Sequence, residues 1–298
     1  MATDPRVSDM THRDEASAFK RSGGEEIQVS ISRIFNPGNS LDAAPPDVKI
    51  ESSDGVLFYV HAHRLLALSN NHFNSMLVNV PVSTTLQVPE SSAAANILMH
   101  TIYGLPSGHF RPGALDVIAA VDAMQTYGLS LQTFLAQGTP TYSLVLSVAP
   151  SCPLECYILA AKYRLEDLAV AVSTYTLLIN LSTVTDTISM RIGPIYLKRL
   201  FFLHLGRFEA LKRILRALPE AHPPRPDCGV FESQHLQNAW TLAVGSLTWE
   251  PNPGLSNGEI NTTLLPLGEH LTCMECKATL LERIHQILVQ WSLVKRTI

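Results

Sequence analysis

Two short runs of alternating apolar and polar residues, Val48-Lys-Ile and Val56-Leu-Phe-Tyr-Val, flank Ser53-Asp54-Gly55. Alternation at period two sends one side of each run into a core, and Ser-Asp-Gly tolerates positive φ, so the pattern predicts a β-hairpin. Leu65, Leu66, Leu68, Phe73, Met76 and Leu77 then recur at helical spacing, and no Asp, Glu, Lys or Arg falls between Leu65 and Pro89. A helix buried on most sides is expected there. Thr84 to Val88 reads as a third strand stopped by Pro89, after which Glu90-Ser-Ser opens a helix carrying Ala94, Ile97, Leu98, Ile102 and Tyr103 and ending at Gly104. Leu115 to Leu135 repeats the helical period with a break at Gly128.

Upstream, Ile27 to Phe35 alternates well enough for an extra strand, and Asn36-Pro-Gly and Ala43-Ala-Pro-Pro mark turns before a compact domain beginning near Pro46. Residues 1 to 26 mix charges with Ser and Gly and hold few apolar groups, which predicts a disordered tail. Gln137 to Pro153 reads as an inserted loop or strand. Beyond it the period is helical over Cys156–Leu181, Thr183–Ile188, Pro194–Leu203, Phe208–Leu218, Phe231–Leu247 and Leu271–Val294, with a Pro- and Gly-containing loop over Glu250–Gly268. The expected organisation is a tail (1–26), a compact domain (27–137) and a helical C-terminal region (138–298). The fold class is therefore α+β, a small sheet with a helical cluster followed by a mostly α-helical region.

Composition adds partners to this picture. Apolar residues make up 46% of the chain and charged ones only 16%, too few charges to cover a surface, so partner contact or self-association is expected. A net charge of −4 argues against a general affinity for nucleic acid or an anionic membrane. Five cysteines, an odd number in a chain of this size with no basic-then-apolar leader, point to a reduced intracellular protein, cytoplasmic or nuclear. Asn180-Leu-Ser and Asn261-Thr-Thr are then chance sequons, and no long charge-free apolar run suggests a membrane span.

Candidate chemistry is sparse. His61-Ala-His63 on a strand would share a face and could share a metal, but a structural hydrogen-bonding role suits the pair better. His270-x-x-Cys273-x-x-Cys276 keeps three side chains near one helix face, and Cys228 or His235 could complete a tetrahedral zinc site across the long loop. Buried thiols acting as small apolar groups are the preferred reading, so no metal and no cofactor is expected. Cys152 and Cys156 read as helix-start packing. Seven basic residues between Arg191 and Arg216 (Arg191, Lys198, Arg199, Arg207, Lys212, Arg213, Arg216) stand against a single Glu209 and read as a solvated helix face rather than a nucleic-acid surface. The pair Glu166-Asp167 suggests capping or a structural salt bridge. With no nucleophile elbow, phosphate loop, dinucleotide fingerprint or His-Glu-x-x-His, an enzyme is not expected.

The stretch from Asp47 to Leu77, followed by Leu86-Gln-Val-Pro-Glu, Asn96 to Pro106 and Ala114 to Leu129, resembles the BTB/POZ domain in the divergent form found in mushroom-forming fungi. The family order is a strand hairpin, a His-containing helix, a short strand, a helix ending in a Tyr-x-Gly type turn and a helix ending in Tyr-Gly-Leu. Cys156 to Leu177 resembles the helix that follows in the same proteins. The motif positions are Asp47, Asp54, Gly55, His63 and Arg64. The resemblance implies a non-enzymatic protein-interaction module, an adaptor or scaffold that homodimerises through its first helices; the charge-free run points to Leu65, Leu66, Phe73 and Met76, or the strand before Asp47, as the contacts. Some members recruit cullin-type ubiquitin ligases through a hydrophobic-x-Glu element, and Leu77 to Thr85 lacks it. A cullin is therefore the alternative partner, and a zinc-containing, transcription-linked regulator using the C-terminal Cys pair a further alternative.

Overall fold

The structure, a computed structural model, describes residues 15–20, 27–79, 84–107, 111–223, 228, 230–250 and 252–298. The chain divides into two compact units, Met1–Leu159 and Ala160–Ile298. It is an α+β protein whose C-terminal region is mostly helical. Among the described residues no helix is long and apolar enough to cross a membrane.

The first unit is built on a five-stranded sheet of order β1-β2-β4-β3-β5, from β1 (Glu15–Lys20), β2 (Ile27–Ser32), β3 (Val48–Glu51), β4 (Val56–Val60) and β5 (Thr85–Gln87). The predicted hairpin is β3–β4, antiparallel, with Gly55 at φ 82° in its turn. Val48, Ile50, Val56, Phe58 and Val60 are buried and the alternate residues of the two strands, Lys49, Glu51, Leu57 and Tyr59, are not, the period expected of a sheet with one covered face. Strand β1 lies in the stretch expected to be a disordered tail; pairing along all six residues with β2 gives its backbone groups partners that composition does not foresee. The rest of that expected tail, 1–14 and 21–26, lies outside the described residues.

Helix α1 (Ala62–Leu68) is far shorter than the predicted buried helix. After it the backbone turns left-handed, with His72, Phe73 and Asn74 each at φ 55° and Ser75 at φ 62°. Side chains replace the lost helical bonds: the Ser69 hydroxyl accepts from the Phe73 amide (2.7 Å) and Asn71 Oδ1 from the Asn74 amide (2.8 Å). Helices α2 (Ser92–Ile102) and α3 (Ala114–Thr126) pack on each other and end at Gly104 and Gly128, both at positive φ. At φ 75° Gly128 is in a conformation that strains any L side chain, and a Cβ there would also press on the Asn70 and Asn71 side chains. A short α4 (Leu131–Phe134) precedes α5 (Pro140–Val148), which occupies the segment expected to be a loop or strand. Thr139 caps α5, Pro140 opens it, and Tyr142, Leu144 and Val145 bury its inner face. Its packing on α3 extends the first unit beyond the expected boundary at residue 137.

Asp54 ties the hairpin turn to α2. Its carboxylate accepts from the Ser52 hydroxyl (2.6 Å), the Ser92 amide (2.8 Å) and the Ser92 hydroxyl (2.6 Å). Burial pushes this carboxyl up, but the bonds from Ser52 and Ser92 outweigh it and hold the group below its ordinary range. A depressed folded pKa stabilises above the unfolded value, near 4, and that stability is lost as pH falls through the folded value. Asp54→Ala is expected to cost about 1–3 kcal/mol at neutral pH in urea unfolding, shrinking as the pH is lowered below about 4. An equal cost at all pH would refute the charge-assisted role.

In the second unit, which begins within α6 (Pro153–Lys162), the helices are α7 (Glu166–Ser173), α8 (Asp186–Ile192), α9 (Pro194–Leu215), α10 (Val230–Trp249), α11 (Asn257–Leu264) and α12 (Met274–Ser292). The two helices expected over Pro194–Leu203 and Phe208–Leu218 are one: α9 runs through Gly206, whose propensity cost of about 1 kcal/mol is offset by packing on α12. The expected loop over Glu250–Gly268 holds α11, opened by a capping box in which Ser256 and Glu259 exchange side-chain-to-backbone bonds. Leu211, Leu215, Leu236, Trp240, Ile260, Leu264, Leu280, Ile284, Ile287 and Trp291 form the apolar core of this unit, together with three cysteines.

Candidate functional site

The residues singled out from sequence fall into two groups. In the first unit the positions of the family resemblance are structural. Asp47 Oδ1 accepts from the Ala62 amide (2.7 Å) and so holds the start of α1. His61 ends no strand edge but sits at the N-cap of α1, buried, with Nδ1 2.7 Å from Tyr103 Oη and Nε2 2.8 Å from the Ala44 carbonyl oxygen. Both ring nitrogens are thus engaged, and His63 instead reaches Asp42 Oδ2 (3.0 Å), so the two imidazoles do not share a ligand. Arg64 Nε donates to the same Asp42 oxygen (2.7 Å), and this bond holds the Asp42 carboxyl well below the usual carboxylate range.

The expected contact set divides. Leu65 and Phe73 are fully buried, Phe73 stacking on Tyr127 with ring centroids 4.2 Å apart, so neither is available as a surface residue. The short helix α1 points Leu65 inward, and the left-handed turn carries Phe73 back onto the end of α3. Leu66 is exposed and Met76 is half-buried.

In the second unit four potential ligand atoms converge. His222, Cys228, Cys273 and Cys276 place a ring nitrogen and three sulfurs within 4.8 Å of one another. His222 Nε2 lies 3.3 Å from each of Cys273 Sγ and Cys276 Sγ, and Cys228 Sγ lies 3.7 Å from Cys276 Sγ. The expected candidates His235 and His270 are exposed and outside the group. Their place is taken by His222, which sequence reasoning passed over because it sits between Pro219 and Pro223, in a stretch read only as a helix stop. The usable signal was a His-x5-Cys pair upstream of Cys-x2-Cys.

Helix α12 supplies two of the donors. Cys273 is its N-cap and Cys276 is one turn in, so both face the exposed amides of the helix start. The Glu232 carboxylate clamps that turn, accepting from the amides of Thr272 (2.5 Å) and Cys273 (2.9 Å), and these two bonds hold its pKa below the ordinary value. Hydrogen bonding from the Cys276 amide draws the Cys273 thiol down, whereas burial pushes Cys228 up to about 12. Cys152 and Cys156 lie 3.5 Å apart at the start of α6, and none of the five cysteines is joined in a disulfide.

The basic run is not uniformly solvated. Arg207 is buried, with Nε donating to the Pro253 carbonyl (2.6 Å) and Nη1 to those of Val294 (2.8 Å) and Lys295 (3.1 Å). Arg199 forms a two-pronged salt bridge to Glu166 (2.6 and 2.8 Å), the structural role expected for that acid. Comparison of the chain with family models, curated proteins and solved structures returned no match.

Proposed function

We propose that the chain is a non-enzymatic protein-interaction module of BTB/POZ type that self-associates and serves as an adaptor or scaffold. The observation that carries this reading is the order of elements in the first unit: the β3–β4 hairpin, α1 entered through His61, strand β5, then α2 and α3. Each of those two helices is closed by a tyrosine and a positive-φ glycine, Tyr103-Gly104 and Tyr127-Gly128. These are the elements and turn residues on which the sequence resembles the family.

The partner surface in this reading lies on α1, where Leu66 and Leu68 are 38% and 39% exposed. Apolar side chains left at the surface of a charge-poor helix favour burial against a second copy. Size-exclusion chromatography of the full chain with light scattering at micromolar concentration is expected to give a dimer mass, and Leu66→Glu a monomer with unchanged circular dichroism. A monomeric wild-type chain overturns the self-association. A complex with an added cullin amino-terminal domain in the same run would make it a ligase adaptor instead.

A further inference from the structure

We propose that His222, Cys228, Cys273 and Cys276 bind one zinc ion in a closed Cys3His site that fastens the segment after α9 to the start of α12. This stands independently of the interaction reading, since it rests only on side chains of the second unit.

The donor set is the first argument. Three sulfurs and one imidazole nitrogen are soft to borderline ligands that select zinc over magnesium or calcium, and four protein donors leave no position for a substrate, the pattern of a structural site. Size is the second. With Zn–S near 2.3 Å and Zn–N near 2.0–2.1 Å, a tetrahedral site has S···S edges of about 3.8 Å and S···N edges of about 3.5 Å. The 3.7 Å between Cys228 and Cys276 and the 3.3 Å from His222 to each of its two sulfurs fall within a few tenths of those edges. The sulfurs are far beyond the roughly 2.05 Å of a disulfide, so they are not already joined.

Orientation is the third argument. His222 Nδ1 lies 2.8 Å from the Pro223 carbonyl oxygen, which can only accept, so that nitrogen carries the proton. In the neutral ring, the form that binds a metal, Nε2 is then left with its lone pair facing the sulfurs. A backbone carbonyl fixing the tautomer and ring angle of a histidine ligand is the usual outer support of a zinc site. The Glu232 clamp on the Thr272 and Cys273 amides does the same for the turn that bears the two α12 donors.

Simple packing of thiols accounts for less. Cysteines do fill cores as small apolar groups, but an imidazole brought to face two thiols from 51 and 54 residues away adds a polar group that an apolar core penalises. Residues 219–223 have no helix or strand of their own. A metal gives the segment its anchor, and metal affinity becomes folding free energy of this unit.

The test is metal content followed by cobalt substitution on the full chain. Protein purified without chelator is expected to contain one zinc per chain by elemental analysis. After zinc is removed under reducing conditions, Co(II) titration is expected to saturate at one equivalent, with thiolate-to-metal charge transfer in the near ultraviolet and the intense visible bands of a tetrahedral centre. His222→Ala should lose most of the charge-transfer-bearing complex at equal cobalt, whereas His235→Ala and His270→Ala should titrate as wild type. Absence of zinc together with no charge-transfer band in the wild-type titration overturns the site, and this measurement needs no variant to fold. An unchanged spectrum in Cys273→Ser overturns it as well.

Discussion

Arg207→Ala is expected to destabilise the second unit by about 3–5 kcal/mol, because it strips three backbone carbonyls of a charged donor at once. Arg207 is only 2% exposed, and its guanidinium joins the loop before α11, through Pro253, to the chain leaving α12, through Val294 and Lys295. Its Cζ also lies 4.1 Å from the Trp291 ring centroid, and Trp291 Nε1 in turn donates to the Leu255 carbonyl (2.8 Å). No carboxylate pairs with it in these contacts; burial lowers its pKa to about 10, which leaves it charged at neutral pH. The cation near the C-terminal end of α12 also complements the helix dipole. Arg207→Lys should recover little of the loss, since one ammonium cannot span carbonyls on two segments while stacking on an indole. Trp240, Trp249 and Trp291, the three tryptophans of the chain, all lie in the second unit, so urea unfolding read by tryptophan fluorescence reports this effect. A loss below about 1 kcal/mol would mean that the three carbonyls find water instead.

Phe73→Ala is the second large effect, expected at about 3–5 kcal/mol in the first unit, against less than about 1 kcal/mol for Leu66→Ala. Phe73 is fully buried and stacked at 12° on Tyr127, whose hydroxyl donates to Glu90 Oε2 (2.7 Å). Removing the ring leaves a cavity beneath a tyrosine that is fixed at both ends and cannot collapse into it. Leu66, on the outer face of α1, leaves no such hole. Thermal unfolding followed by circular dichroism separates the two. If Phe73→Ala proved as mild as Leu66→Ala, Phe73 would belong to the surface after all.

The two effects also mark where sequence reasoning stopped. Phe73 was legible as apolar and in phase with Leu65 and Leu66, but phase cannot say which of three apolar neighbours turns outward when the helix lasts only seven residues. That was decided by the left-handed turn held by Ser69 and Asn71 side chains. Arg207 was legible as one base among seven. Its burial depends on carbonyls 46 and 87 residues further along the chain, and nothing in a basic run distinguishes that one from the rest.

The sequence by itself determined what local patterning carries: the β3–β4 hairpin from alternation around Ser-Asp-Gly, strand β5, the helices α2 and α3 with their terminal glycines, the helical second half, and Cys273 with Cys276 as a pair on one turn. Two helices were within its reach and were missed, α5 through Thr139-Pro140 and α11 through Ser256-x-x-Glu259, because nearby Pro and Gly read as loop. The tertiary structure alone decided the pairing of β1, the union of two predicted helices into α9, and the choice of His222 and Cys228 over His235 and His270 beside the α12 cysteines. Each of these depends on contacts between segments far apart in the chain, and a one-dimensional pattern holds the donors without holding the distances between them.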